Sequence, residues 1–191
     1  TMAECLRVCS TLNAIVRDEH SAGESSYAEE LAGVVDDLLS RGVAEVSQGA
    51  VVVRVEGIEE PCLIRKSDGA FLYATTDMCG IRRRVQKLGA SRVVYCVDAR
   101  QALHFRQVFG AADRAGYTSR PGGKATLVHA AFGTILGEDN RPFKTRSGEN
   151  VKLADLLSEA VDKAYAVVNE KNPGLSEERK QEVARMVGVG A

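Results

Sequence analysis

Three stretches of this chain place ionisable and hydrogen-bonding side chains where an α/β protein does its chemistry. In Tyr73-Ala74-Thr75-Thr76-Asp77 a strand is expected to end and a helix to begin. At such a boundary in a parallel sheet a carboxylate can receive an ammonium or a guanidinium. The plainer reading makes Asp77 a helix N-cap or first-turn acid and Tyr73 a strand aromatic, and spacing alone leaves both open. In Asp98-Ala99-Arg100-Gln101-Ala102-Leu103-His104, Gln101 can hydrogen-bond a substrate amine or carboxylate, and His104 either meets a nucleotide or faces solvent. In Phe143-Lys144-Thr145-Arg146-Ser147-Gly148 two cations and two hydroxyls precede a glycine just before a helix. Such a loop can surround a polyphosphate and close on it during reaction, although its composition also suits a solvated charged loop.

Other chemistries find less support. Gly122-Gly123-Lys124 invites a phosphate-loop reading, but Thr118 occupies the place of the required first glycine and Ala125 follows the lysine, so that motif is rejected. No Gly-x-Ser-x-Gly elbow occurs. Cys5, Cys9, Cys62, Cys79 and Cys96 form an odd set without a Cys-x-x-Cys pair, which reads as reduced thiols of a cytoplasmic protein. Cys5 and Cys9 share a helical face but have only the isolated His20 for company, so no metal site is expected. With 25 basic and 26 acidic residues the chain has no global basic field to bind nucleic acid by itself. Its 45% hydrophobic and 27% charged content excludes intrinsic disorder, and no apolar run is long enough to cross a membrane.

The elements that must position these residues follow from periodicity. Residues 2–17 predict a helix, and Tyr27, Leu31, Val34, Val35, Leu38 and Leu39 predict a second, closed by Gly42 as a left-handed cap. Residues 43–47, 50–55 and 62–66 are short β-branched runs, and Ser67-Asp68-Gly69 predicts a tight hairpin into a further strand at residues 70–74. A helix is expected from about Thr76 to Leu88, a buried strand over 92–97, and a helix over 101–115 with Leu103, Val108 and Phe109 inward. A strand over 125–130 completes a parallel strand-helix-strand crossover. Helices over about 151–169 and from Ser176, as N-cap, to Val187 flank Pro173-Gly174. The fold class is α/β, a parallel sheet with flanking helices plus a small antiparallel β ribbon.

Taken in order, the motifs resemble the catalytic core of the arginyl-tRNA synthetases, which are class I aminoacyl-tRNA synthetases with a Rossmann-like nucleotide-binding fold. The residues that carry the resemblance are Gly23 to Tyr27, Ser67 to Asp77, Asp98 to His104, Val128 to Gly133 and Phe143 to Leu153. It implies ATP-dependent activation of L-arginine to arginyl adenylate, with Mg2+ arriving on the ATP phosphates, and transfer to tRNA(Arg). It also implies that Asp77 pairs with the arginine guanidinium, Tyr73 lines the arginine pocket and Gln101 reaches the amino-acid end. His104, His129, Phe132 and Gly133 are implied near the adenosine. The loop carrying Lys144, Thr145 and Arg146 resembles this family's form of the KMSKS loop. Lys144 and Arg146 are then the catalytic candidates and all three residues contact ATP.

No His-x-Gly-His occurs in the chain, since His20, His104 and His129 stand far apart. In the resembled family that signature lies in the first half of the nucleotide-binding fold, and an anticodon-reading helical domain follows the core. The chain is therefore expected to be an internal fragment, inactive alone. Residues 1–66 would form an inserted or connective region, 67–150 the second half of the nucleotide-binding fold, and 151–191 the helical end of the core. A non-catalytic, synthetase-like binding module is the competing expectation, by analogy with folds that outlive their chemistry.

Overall fold

The computed structural model describes residues 2–133 and 152–190. It separates into two compact units, Ala22–Thr134, and Thr1–Ser21 together with Ile135–Ala191. The expected Lys144, Thr145 and Arg146 lie outside the described residues.

In the second of these units, helix α1 (Met2–Thr11) is shorter than the periodicity of residues 2–17 predicts. Asn13 turns left-handed at φ 54°, its N–H reaches Ser10 O at 3.1 Å, and Ala14 N–H reaches Cys9 O at 2.8 Å. This closure satisfies the last carbonyls and ends the helix, leaving Ile15 exposed beyond it.

In the larger unit, a 3-10 segment (Glu24–Glu30) runs into α2 (Leu31–Ser40). Tyr27, Val34, Val35 and Leu38 are buried, as the predicted stripe requires. Gly42, at φ 64°, caps α2, with Val43 N–H on Leu38 O at 2.9 Å. Strands β1 (Glu45–Ser47), β2 (Ala50–Val53) and β3 (Cys62–Arg65) then form the expected antiparallel ribbon, in the order β1-β2-β3.

The hairpin expected at Ser67-Asp68-Gly69 closes with Lys66 N–H on Ala70 O at 2.9 Å, but the strand predicted after it shrinks to one bridge, Arg65 with Phe71. Tyr73 instead opens α3 (Tyr73–Arg82), three residues before the predicted start. The apolar stripe explains the difference. Ala74, Met78, Ile81 and Val85 are buried at helical spacing, and the buried Thr75 hydroxyl donates to Ile64 O, tying the first turn to β3. One π-helical turn (Arg83–Lys87) then extends α3.

Strands β4 (Arg92–Asp98) and β7 (Thr126–Phe132) pair in parallel, with α4 (Ala102–Arg114) and the short β5 (Ser119–Arg120) and β6 (Gly123–Lys124) hairpin between them. The rejected phosphate-loop sequence is part of that hairpin, and Lys124 Nζ pairs with Asp113 at 2.5 Å. Two predicted burials are corrected. Leu103 is exposed, and Phe105, about half a turn around α4 from it, takes the inward place beside Val108 because the packed face of α4 carries Phe105, Val108 and Ala112. Strand β4 is covered on one face only among the described residues: Val93 is buried, while Val94 and Cys96 are exposed, next to exposed Ala130 and Phe132 on β7.

Helices α5 (Leu153–Lys171) and α6 (Glu177–Gly190) pack on each other. Ser176 caps α6, its Oγ accepting from Arg179 N–H at 3.3 Å. The buried Lys180 donates from Nζ to Asn169 Oδ1 at 2.7 Å, and a Cβ on Gly188 would come within 2.6 Å of Val161 Cα. The helix predicted to stop at Val187 continues to Gly190.

Candidate functional site

The site candidates of the larger unit collect at the start of α3, the start of α4 and the carboxyl ends of β4 and β7. In open α/β sheets ligands bind just outside those strand ends. Asp77 does not cap its helix: Leu72 holds the N-cap position and Asp77 lies in the second turn, so its carboxylate is not engaged by the helix N-terminus. One turn earlier on the same face stands Tyr73, 69% exposed. Tyr73 and Thr76 share a shallow groove of about 460 Å3 with Glu24, Ser25 and Phe71. The Gly23–Tyr27 motif is thereby brought beside the Tyr73–Asp77 motif.

The carboxylate of Asp77 faces His104: Oδ2 and Nε2 are 2.7 Å apart, with both side chains partly buried. This pairing across 27 residues was not foreseen from the sequence, which places His104 on the nucleotide side through the family resemblance. A carboxylate accepts, so the ring proton sits on Nε2. The negative charge of Asp77 also reaches the buried Cys62 thiol and the Tyr95 phenol. Burial first, and that charge second, push Cys62 up to about 12. Burial pushes Tyr95 up to about 12 against the nearby Arg84 guanidinium, which donates from Nη1 to Tyr95 Oη at 3.2 Å.

An aromatic cluster sets the floor of the site. The Phe105 ring lies 5.0 Å from Tyr95, 5.1 Å from His104 and 4.7 Å from His129, measured between centroids. His129 sits opposite Tyr95 in the parallel register, and its Nε2 lies 3.0 Å from Val97 O. A carbonyl only accepts, so Nε2 of His129 is also the protonated nitrogen. Phe132 lies on the other face of β7 by strand alternation, 55% exposed, and Gly133 follows it.

Asp98 ends β4 directly opposite Phe132. Its carboxylate accepts from Arg100 N–H at 2.8 Å and takes the Arg100 guanidinium as a fork, Nε on Oδ1 and Nη2 on Oδ2, both at 2.9 Å. That fork holds the turn that delivers exposed Gln101 to the N-cap of α4. Neither Asp98 nor Arg100 was singled out from the sequence, although adjacent opposite charges at a strand end are the available signal. The structure thus brings Tyr73, Asp77, Gln101 and His104 to the facing ends of α3 and α4, and reaches His129 through Phe105.

No group of three or more His, Cys, Asp and Glu side chains converges as a metal site among the described residues, and none of the described helices is long and apolar enough to cross a membrane.

Comparison with known proteins bears on the whole chain. The model of the family "tRNA synthetases class I (R), catalytic domain" matches residues 1–191. Arginine--tRNA ligase of Pseudomonas entomophila is 45% identical over 197 residues, covering 100% of this chain and 34% of that protein. The Cellvibrio japonicus arginine--tRNA ligase is 48% identical over 186 residues, covering 94% of this chain and 32% of its own length. The chain thus spans about a third of the curated relatives it matches. Among solved structures, Plasmodium falciparum arginyl-tRNA synthetase superposes with a TM-score of 0.77 at 23% identity, over 98% of this chain and 30% of that one, a likeness of fold. Thermus thermophilus arginyl-tRNA synthetase gives 0.62 at 25% identity, over 85% of this chain and 32% of that one. With an α/β fold of helices flanking a parallel sheet beside a small antiparallel one, and with the family match running from end to end, this chain belongs to the class I (R) tRNA synthetase catalytic-domain family.

Proposed function

We propose that this chain is part of a cytoplasmic arginine--tRNA ligase and contributes the arginine side of its activation site. The observation that carries the proposal is the Asp77 carboxylate. It stands on the second turn of α3, away from the cap, on the face that carries exposed Tyr73. A carboxylate held there can accept a planar guanidinium through two parallel N–H donors, a fork that an ammonium lacks.

In the proposed reaction a carboxylate oxygen of arginine attacks the α-phosphorus of ATP, and the bond to the bridging oxygen breaks as pyrophosphate leaves. The activated arginine then passes to the terminal ribose of tRNA(Arg). Asp77 and Tyr73 hold the side-chain end of the amino acid and Gln101 its other end, while His129, Phe132 and Gly133 border the adenosine. Thr145, with the catalytic candidates Lys144 and Arg146, contacts the phosphates. Mg2+ comes with ATP, and its charge supports the departing pyrophosphate.

Residues 1–66 are assigned to an inserted or connective region, 67–150 to the second half of the nucleotide-binding fold and 151–191 to the helical end of the core. Parallel sheets are ordinarily covered on both faces, and the exposed face of β4 and β7 at Val94, Cys96 and Phe132 fits a fold completed by further chain. Arginine-dependent ATP–pyrophosphate exchange tests the proposal. The full-length natural protein is expected to catalyse it and the 191-residue chain to show none. Robust exchange by this chain alone would remove the fragment assignment. Arginine binding without exchange in the full-length protein would favour a synthetase-like binding module.

A further inference from the structure

We infer that His104 is a specificity-determining positioning residue for the guanidinium site at Asp77, and that its protonation weakens capture of arginine. The inference rests on the arginine reading of Asp77 and adds to it a gate set by pH.

The geometry carries both parts. His104 Nε2 and Asp77 Oδ2 are 2.7 Å apart and join α4 to α3. A carboxylate has about four acceptor sites, so one imidazole N–H leaves Oδ1 and a further site on Oδ2 available. A forked cation gains its two parallel bonds only where the carboxylate plane is held, and an aspartate side chain left alone turns about two torsions. His104 supplies that hold because its own ring is locked. It meets Phe105 edge-on at 77°, and Phe105 is in turn packed against Tyr95 and His129.

The groups facing the pair decide the electrostatics. From β3 comes the Cys62 thiol and from β4 the Tyr95 phenol, both pushed up to about 12 and so neutral around neutral pH. Arg84, on the π-helical turn, is spent on Tyr95 Oη, and Arg100, before α4, on Asp98. His129, on β7, is separated from His104 by the Phe105 ring. Of the groups facing Asp77, the His104 imidazole is the one in direct contact with it that can take up a proton and become a cation. As a neutral ring it orients an anion that attracts the guanidinium. As imidazolium it cancels that anion and repels the incoming cation.

The test uses the full-length natural protein in arginine-dependent pyrophosphate exchange, with KM for arginine and for ATP measured from about pH 6 to about pH 8.5. The arginine KM of the parent protein is expected to rise severalfold on going to the acid end, with the ATP KM flat. His104→Gln keeps an N–H donor near Nε2 and cannot acquire a charge, so its arginine KM should not vary across that range. His104→Ala should raise the arginine KM about tenfold at the alkaline end without moving the ATP KM. A pH profile of His104→Gln matching the parent overturns the inference, as does a rise confined to the ATP KM, which would return His104 to the nucleotide side. Asp77→Asn separates the two levels: if it leaves the arginine KM unchanged, the arginine reading itself falls, whereas a raised KM together with a parent-like His104→Gln removes only the role of His104.

Discussion

Arg83 binds Glu30 across 53 positions: Nη2 and Nε reach Oε1 at 2.5 Å and 3.2 Å while the guanidinium lies 4.3 Å over the Tyr27 ring. Arg82 adds a contact to Oε2 at 3.4 Å and Lys87 one to Oε1 at 3.6 Å, so one largely buried carboxylate gathers three cations from the end of α3 and the π-helical turn. The Arg83 hydrogen bond, ahead of the opposing effect of burial, holds the Glu30 carboxyl below its usual range. A carboxylate lowered in the folded state contributes stability above its unfolded value of about 4.3, and that contribution is lost as pH falls through the lower folded value. The unfolding temperature of the parent should therefore fall as pH drops below about 4.3. Glu30→Gln should unfold at lower temperature near neutral pH, and the two curves should converge in acid. Parallel curves across the whole range would mean that the cluster does not couple to folding.

Asp77→Asn removes the charge while keeping the shape. In the full-length protein the expected loss is about 2–4 kcal/mol of arginine recognition, the cost of leaving a guanidinium without its charged partner. It should be read in the arginine KM or a direct binding isotherm, with ATP affinity preserved. An unchanged arginine affinity would make Asp77 a structural acid whose task is to hold His104.

Gly188 and Gly33 should respond oppositely to alanine. Gly33, in α2, has open space where a Cβ would stand, so Gly33→Ala should gain about 0.5–1 kcal/mol from helix propensity. At Gly188 the new Cβ would meet the Val161 backbone within 2.6 Å, where only a shift of the whole helix relieves it. Gly188→Ala should cost about 1–3 kcal/mol by overpacking the α5–α6 contact. Urea unfolding of both variants measures the contrast, and a stabilised Gly188→Ala would refute the close approach of the two helices.

The thiols should label in a fixed order. Cys5 and Cys96 are exposed, whereas Cys62 and Cys79 are buried and pushed by that burial up to about 12 and about 11. Since the thiolate is the reacting species, iodoacetamide under native conditions should modify Cys5 and Cys96 first and spare Cys62 and Cys79 until unfolding. Mass spectrometry of tryptic peptides after timed labelling reads this directly. Early labelling of Cys62 would contradict the packing of β3 beneath α3.

Much of the scaffold is written in local pattern. The stripe Val34, Val35 and Leu38 with Gly42 behind it needs only helical spacing and a residue free to turn left-handed. The β-branched runs around Gln48-Gly49 likewise state an antiparallel hairpin by themselves. Tyr73 and Asp77 were marked as chemically able from their types and order, and the family follows from five motifs in sequence. Local pattern misled where a long-range contact settled the outcome. Residues 70–74 read as strand until the Thr75 bond to Ile64 O and the burial of Ala74 and Met78 draw Tyr73 and Ala74 into a helix and leave only the Phe71 bridge of the strand. Asp77 reads equally as a cap until the helix is seen to begin at Tyr73. Leu103 and Phe105 differ by two positions on one helix, and only the direction from which β4 and β7 approach α4 decides which is buried. The same holds for Asp77 with His104, Glu30 with Arg83, and Arg84 with Tyr95. Periodicity sums energies over neighbours along the chain, whereas these pairings depend on how separate elements are docked, so the sequence determined which groups are available and tertiary packing decided which of them meet.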